Sequence, residues 1–186
     1  MYMLVIGYIK DGESPPSDAV RISVKTRDKL DKINIDVAKQ YMSLAYSPTH
    51  NKGAESVRHL CTPDSWFWSP STFPGCLTPM DYADSHAQVM ASVNDLHIVR
   101  YDQEWAKDGH VLLRYTAEGS HAGKPYKGIE KSDPPRKARW SAAAIFEIQD
   151  GKIKSFTKDW DQKVMQIADK TDDADPAWVG AGARIG

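Results

Sequence analysis

The chain has 186 residues, a length typical of one domain with a real hydrophobic core. Its formal net charge of −1 at pH 7 argues against a dedicated nucleic-acid binder, which usually carries a basic face. The two cysteines, Cys61 and Cys76, match no disulfide framework or zinc spacing, so we expect free thiols in a reducing compartment. The apolar residues 1–9 are too short to span a bilayer and lack signal-peptide features, which predicts a cytoplasmic protein without a membrane partner.

The first part of the chain predicts two short strands followed by helices. Residues 1–9 and 19–25 are interpreted as an extra N-terminal strand pair, because apolar and polar residues alternate in the second. Residues 26–47 then predict an amphipathic helix, whose apolar stripe consists of Leu30, Ile33, Val37, Tyr41 and Leu44. Further helices are predicted at residues 51–61 and 80–95.

An aromatic segment separates the second and third predicted helices. Residues 62–79 are rich in proline and serine, which predicts a long loop. This loop carries Trp66, Phe67, Trp68 and Phe73. One interpretation is a surface loop that packs on itself, and the other is a lid or wall over an apolar ligand.

The second half of the chain predicts antiparallel strands. Residues 96–106 and 110–123 are strands around a Lys-Asp-Gly turn, and residues 139–148 and 152–160 pair across an Asp-Gly turn, a strong hairpin signal. A short helix and a loose tail at residues 168–186 follow. Helices before strands indicate a single α+β domain, in which N-terminal helices wrap a curved antiparallel sheet into a cone, or α+β barrel, with one apolar cavity.

Three stretches of the sequence carry a family resemblance. They are GSHAGKPYKGI at residues 119–129, FEIQDGKIKSF at residues 146–156 and WDQKVMQ at residues 160–166. The chain resembles the SnoaL-like polyketide cyclases of the nuclear-transport-factor-2-like superfamily over roughly residues 27–167, and its aromatic loop is similar to that of fungal members. It departs from the family's pattern in the N-terminal strand pair and the closing tail.

The resemblance implies proton-transfer chemistry without a metal or organic cofactor. In such chemistry a carboxylate or histidine removes a proton beside a carbonyl, and another polar group holds the enolate oxygen. It implies an isomerase or cyclase of a polyketide- or terpenoid-derived intermediate in secondary metabolism. The alternatives are a dehydratase similar to scytalone dehydratase and a non-catalytic small-molecule binding or dimerisation module. We expect a hydrophobic small-molecule substrate and a homodimer that covers the convex face of the sheet.

The acids around Trp160 are candidate catalytic groups. Asp161 matches the family's acid, but an Asp at this place also caps the helix that follows. Asp159 shares the face of Asp161 if the strand is regular, whereas Trp160 points the other way. A bulge in the strand would break that relationship.

Two histidines are the other catalytic candidates. His121 continues the apolar alternation of its strand, and His86 lies on an apolar helical stripe, where it is either a core residue or an acid or base of the pocket. The predicted substrate-binding residues are aromatic, namely Tyr41, Trp66, Trp68, Phe73, Tyr115 and Trp140.

Overall fold

The computed structural model describes residues 17–126 and 128–160. Within them the helices are α1 (Ser17–Ala45), α2 (Ala54–Val57) and α3 (Pro79–Ser92), and a 3₁₀ turn (Arg58–Leu60) follows α2. The strands are β1 (Cys61–Trp68), β2 (His97–Lys107), β3 (His110–Ser120), β4 (Lys137–Gln149) and β5 (Lys152–Trp160). The predicted first strand, the last helix and the tail lie outside the described residues. None of the described helices is long and apolar enough to cross a membrane.

The five strands form one sheet in the order β1-β5-β4-β3-β2. β2, β3, β4 and β5 pair antiparallel, as predicted, but β1 pairs parallel with β5, so the sheet is mixed. The first half of the predicted aromatic loop is therefore a strand. Pro63 is compatible with β1 because this strand lies at one edge of the described sheet, where a missing N–H is tolerated.

The prediction of a strand at residues 19–25 is wrong, because these residues belong to α1. Starting a helix is costly, but extending one gains a hydrogen bond for each residue that is fixed. A short alternating segment directly before a helix can therefore join that helix. The predicted apolar stripe is also partly wrong, since Leu30 and Ile33 are exposed. The helix buries a neighbouring face that begins at Asn34 and continues through Ala38, Tyr41, Met42 and Ala45.

Two Asp-Gly turns join the antiparallel strands. The φ angles are 51° at Asp150 and 75° at Gly151, and 50° at Asp108 and 81° at Gly109. Consecutive positive φ angles match the right-handed twist of the flanking strands, which is why Asp-Gly favours hairpins. The predicted hairpin between β4 and β5 is thus confirmed.

A bulge in β5 determines which side chains face the helices. Glu147 is opposite Ser155 and Ile148 is opposite Ile153, so Lys154 is one extra residue in β5. Beyond this point Phe156 and Lys158 are buried, whereas Asp159 is exposed. The bulge therefore places Asp159 on the outer face, whereas the predicted relationship of Asp159 to Asp161 extends outside the described residues and stays a prediction.

The glycines of the GSHAG stretch allow β3 to approach the end of α3. A Cβ on Gly119 would lie 2.3 Å from Cγ1 of Val93, and one on Gly123 would lie 2.1 Å from the carbonyl oxygen of Ala91. The backbone N–H of Gly123 donates to the carbonyl of Ser92 at 2.9 Å. These glycines therefore dock the segment that carries His121 onto α3.

Candidate functional site

A lysine lies in the interior between the sheet and the helices. Lys158 on β5 is 3% exposed, and its Nζ donates to the hydroxyls of Tyr46 and Tyr82, each at 2.8 Å. No carboxylate of the described residues forms an ion pair with this amine. A buried lysine is normally paired with an acid, so this arrangement is unusual.

Aromatic rings surround the amine. Nζ of Lys158 lies 5.1 Å from the ring centroid of Tyr46, 5.2 Å from Phe73, 5.0 Å from Tyr82 and 5.3 Å from Trp160. Burial holds the pKa of Lys158 well below its usual range. The surroundings therefore favour the neutral amine, which carries a lone pair and can accept a proton.

The hydroxyls around the lysine form a connected group. Tyr46 Oη and Tyr115 Oη are 2.9 Å apart, and either can donate to the other. Burial raises the pKa of Tyr46 to about 12, although its hydrogen bond with Tyr115 acts in the opposite direction. Burial also raises the pKa values of Tyr82 and Tyr115 well above their usual range. The three hydroxyls consequently stay protonated and serve as hydrogen-bond donors.

His86 packs directly on these tyrosines. Its ring centroid lies 4.2 Å from that of Tyr46 and 5.1 Å from that of Tyr82. Nδ1 lies 2.8 Å from the carbonyl oxygen of Ala45, and since a carbonyl only accepts, Nδ1 carries the hydrogen. Burial, followed by the nearby Lys158, lowers the pKa of His86 to about 3. The ring is therefore neutral at neutral pH, with its lone pair on Nε2.

Two indole groups add further donors. The rings of Trp140 and Trp160 are 5.6 Å apart, and Nε1 of each is buried without a hydrogen-bond partner among the described residues. Nε1 of Trp140 also approaches the Tyr46 hydroxyl closely enough to lower the pKa of Tyr46, but not in hydrogen-bonding geometry. Buried N–H groups are rarely left unpaired, so the interior suits a ligand with acceptor oxygens.

A cleft lies beside this group of side chains. It has a volume of about 520 Å³ and runs between the end of α1 and strand β2, with Ser43, Tyr46, Ile98 and Tyr101 among its lining residues. Pockets for small ligands have volumes in this range. Because Tyr46 lines the cleft and also binds Lys158, this tyrosine connects the two.

The structure brings several predicted residues to the lysine. Phe73 lies against its amine, Tyr115 binds Tyr46, and His86 packs on Tyr46. Trp140 contacts Trp160, whose ring is also close to the amine.

Tyr41 and His121 are buried, but their polar atoms bind backbone groups. The Tyr41 hydroxyl donates to the carbonyl oxygen of Pro79 at 2.6 Å. His121 lies on the buried face of its strand, as predicted, and its Nε2 binds the carbonyl of Lys124 at 2.9 Å. These bonds attach α1 to the start of α3 and order the loop after β3.

The structure places three predicted residues away from the interior. Trp66 and Trp68 are 46% and 61% exposed, because Phe67 is the residue of β1 that points inward. These two tryptophans therefore point away from the interior, and their role in substrate binding stays a prediction. Asp159 is exposed beside the inward-facing Lys158. Asp161 lies outside the described residues, and its role stays a prediction.

Sequence reasoning missed the central residues of the site. Lys158 occupies the middle of an alternating series, Phe156, Lys158 and Trp160, which was a usable signal of a lysine on an aromatic face. Tyr82 lies four residues before His86 and so shares its helical face. Tyr46 lies four residues after Met42 and continues the buried face of α1, but the stripe predicted through Leu30 and Ile33 did not include it.

Comparisons with known proteins give matches among solved structures. No protein-family model matches the chain, and no curated protein matches it. AclR from Streptomyces galilaeus, assigned as a hydroxylase, has 14% identity and a TM-score of 0.62 over 82% of this chain and 91% of its own. TsrD from Streptomyces laurentii has 18% identity and a TM-score of 0.60 over 75% and 97%. A protein of Jannaschia sp. CCS1, assigned as a SnoaL-like polyketide cyclase, has 15% identity and a TM-score of 0.60 over 74% and 92%.

At these identities the likeness concerns the fold. The named structures come from bacteria, so the fungal subtype of the resemblance stays a prediction. An NTF2-like protein of Anabaena variabilis also matches, with a TM-score of 0.50. The five-stranded sheet and the helices on its inner face thus give this chain the cone-shaped α+β fold of the SnoaL-like polyketide cyclases and of NTF2-like proteins.

Proposed function

We propose that this chain is an enzyme that transfers a proton within a hydrophobic carbonyl compound, and so isomerises or cyclises a polyketide- or terpenoid-derived intermediate. The observation that carries the proposal is Lys158, which is buried and bound only to tyrosine hydroxyls in the described structure. Burying an amine without a counter-charge costs several kcal/mol, and an apolar side chain would avoid that cost. Such unfavourable groups concentrate at functional sites.

The proposed mechanism uses side chains of the chain itself. The carbonyl oxygen of the substrate accepts hydrogen bonds from the hydroxyl of Tyr82 and the indole N–H of Trp140 or Trp160. The neutral amine of Lys158 removes the adjacent proton, and the same donors stabilise the enolate oxygen. His86 is a positioning residue that holds Tyr46 and Tyr82 without adding a positive charge beside the amine.

The fate of the enolate distinguishes the possible reactions. Return of the proton to another carbon gives an isomer, and attack of the enolate on a second carbonyl closes a ring. Transfer of the proton from the lysine ammonium to a leaving hydroxyl would give the alternative dehydratase reaction. All three begin with the same proton removal, so one assay of that step tests them together.

The assay is deuterium uptake by an aromatic ketone, α-tetralone, in deuterium oxide. We expect the chain to accelerate exchange beside the carbonyl, and Lys158→Met to lower the rate by at least about 100-fold, the usual contribution of a positioned base. Lys152→Met is the matched control because Lys152 is an exposed lysine of the same strand, and this variant should exchange like the natural chain. Circular dichroism checks that each variant is folded.

The carboxylate hypothesis from the sequence gives the opposite pattern. If Asp161 is the base, Asp161→Asn abolishes exchange, whereas Lys158→Met leaves most of it. Our proposal would be refuted by a folded Lys158→Met variant that exchanges at the natural rate.

A non-catalytic binding protein is the second candidate, because the cleft of about 520 Å³ is large enough for a small ligand. In that case α-tetralone would bind, as measured by quenching of tryptophan fluorescence, but would be recovered without deuterium. Binding of α-tetralone together with deuterium exchange would exclude a non-catalytic binding protein.

We also propose that two copies of the chain pair through the outer face of the sheet. A row of four apolar residues and one threonine crosses the five strands there, because Trp105, Leu112, Ile145, Thr157 and Trp68 are successive register partners. Trp105 and Ile145 are 54% and 49% exposed in the single chain. Neighbouring exposed apolar side chains of this kind favour an interface. Sedimentation should show a dimer that Ile145→Glu dissociates, whereas Ser141→Glu, at an exposed position of the same strand, should not.

A further inference from the structure

We propose that Lys158 also acts as a nucleophile, which forms an imine with aldehydes or ketones of flat, aromatic or conjugated shape. This inference rests on the proposed site but goes beyond proton transfer, because it predicts a covalent intermediate between the chain and its substrate. Lysines in apolar surroundings are the side chains that form such imines.

The hydrogen bonds of Lys158 leave one direction of the nitrogen open. A neutral amine has two N–H groups and one lone pair. Both N–H groups have acceptors, since Nζ donates to Tyr46 Oη and Tyr82 Oη at 2.8 Å each. The lone pair is therefore directed away from both tyrosines. An ammonium group would need a third acceptor, and no described side chain supplies a carboxylate for it.

The rings around the amine define the shape of the carbonyl compound. Phe73 and Trp160 are stacked at 27° with centroids 6.3 Å apart, and both rings lie within 5.3 Å of Nζ. Flat substrates pack against the faces of such rings better than bulky aliphatic ones do. Exclusion of water by the same rings also protects an imine against hydrolysis.

The covalent step balances with groups of this site. The lone pair of Nζ attacks the carbonyl carbon, and the carbonyl oxygen takes a proton from the hydroxyl of Tyr82 or Tyr46. The nitrogen returns a proton to that tyrosine, which gives a neutral carbinolamine. A second proton transfer of the same kind expels the oxygen as water, and the nitrogen lone pair forms the C=N bond. Amine and carbonyl are thus converted to imine and water without an oxidant or reductant.

Reductive trapping tests the inference on the full chain. The protein is incubated with benzaldehyde and sodium cyanoborohydride at neutral pH, and the modified lysines are located by peptide mass spectrometry. We expect a single benzyl group on the peptide that contains Lys158. Its initial rate of labelling should exceed that of exposed Lys152 by at least about tenfold, because burial favours the neutral, nucleophilic form of an amine.

Two variants make the result specific. Lys158→Arg keeps a long basic side chain but cannot form this imine, and it should lose the fast labelling. Lys152→Met should retain it. Because the map of the natural chain locates the label directly, the test does not depend on whether either variant folds. Labelling confined to exposed lysines, with Lys158 unmodified, would overturn the inference.

The trapping experiment and the exchange experiment test different steps, so a negative result in one does not imply a negative result in the other. Deuterium exchange without labelling of Lys158 would overturn the imine and leave the proposed proton transfer intact. Labelling of Lys158 without exchange would support the imine and contradict the proposed isomerase or cyclase.

Discussion

The basic side chains on the two faces of the sheet have different kinds of partner. On the outer face Arg139 binds Glu118 at 2.8 Å, and Lys154 forms an ion pair with Asp64, whose side chain is 72% exposed. On the inner face Lys158 lies four residues further along the same strand as Lys154, and within the described part of the chain its partners are hydroxyl groups.

This difference separates ordinary surface electrostatics from a costly arrangement. Exposed ion pairs contribute about 0–1 kcal/mol, since water solvates both charges almost as well as the partner does. Buried Lys158 instead loses its hydration and gains no counter-charge among the described residues, which favours the neutral amine. In the proposed enzyme, the buried amine lowers the stability of the chain but supplies a reactive group, as active sites commonly do.

The first prediction compares neighbouring residues of β4 that point to opposite faces. Phe146 is fully buried and stacks on Phe156 at 4.6 Å, whereas Ile145 is 49% exposed. We expect Phe146→Ala to lower the free energy of unfolding by about 3–5 kcal/mol, because it leaves a cavity. Ile145→Ala should lower it by about 0.5 kcal/mol in the single chain. Urea unfolding of both variants measures the difference, and equal losses would contradict the assignment of the faces.

The second prediction concerns the pH dependence of stability. The pKa of His86 is lowered to about 3 from 6.5, so between these values the unfolded chain binds more protons than the folded chain. Stability therefore rises with pH across this window, by an amount of the order of 5 kcal/mol from this residue.

The variant His86→Asn isolates that contribution. Its amide N–H can still donate to the carbonyl of Ala45, but it does not titrate. Urea unfolding between pH 4 and pH 7 should give a smaller rise for the variant than for the natural chain. Identical pH profiles would show that His86 is not buried as a neutral ring.

The fold was largely predictable because its signals are local. Two Asp-Gly turns and the alternation from Val111 to Ala117 specify long antiparallel strands, and these were predicted correctly. Strand β1 was missed because Pro63 and the serines around it are typical of loops, whereas pairing with β5 depends on residues about ninety positions away. The strand prediction for residues 19–25 was wrong for a related reason. An alternating pattern does not exclude a helix when a strongly helical segment follows it directly.

The site was less predictable because it depends on one bulge. An alternation counted from inward-facing Ile153 places Asp159 inward, but the extra residue Lys154 shifts the count and buries Lys158 instead. Bulges have no dependable sequence signal, and their effect appears only in the register with the partner strand. His86 was a correct candidate for a buried polar residue, since the helical stripe that carries it is long and regular.

The third prediction replaces two lysines of β5, the inward-facing Lys158 and the outward-facing Lys154, by methionine. Lys158→Met should raise the free energy of unfolding by about 1–4 kcal/mol at neutral pH, because it removes the cost of a buried amine. Lys154→Met should lower it by less than about 1 kcal/mol. Since the folded pKa of Lys158 is below its unfolded value, the unfolded chain binds more protons, and the stability of the natural chain rises towards alkaline pH.

That pH dependence supplies the check. The advantage of Lys158→Met over the natural chain should shrink as the pH approaches the ordinary lysine value. An advantage independent of pH, or a large loss of stability, would mean that the amine is charged and compensated in the folded chain.

The smallest expected effect is on the outer face. Glu118 binds Arg139 at 2.8 Å and lies 3.4 Å from His97, and the side chains of Glu118 and Arg139 are 33% and 38% exposed. We expect Glu118→Gln to lower stability by less than about 1 kcal/mol, and added salt to reduce the difference because water and ions screen the pair. Urea unfolding at low and high salt measures this. A salt-independent loss well above that size would show that the outer face is covered in solution, as pairing of two copies would require, and dissociation by Ile145→Glu should then restore the small, salt-sensitive effect.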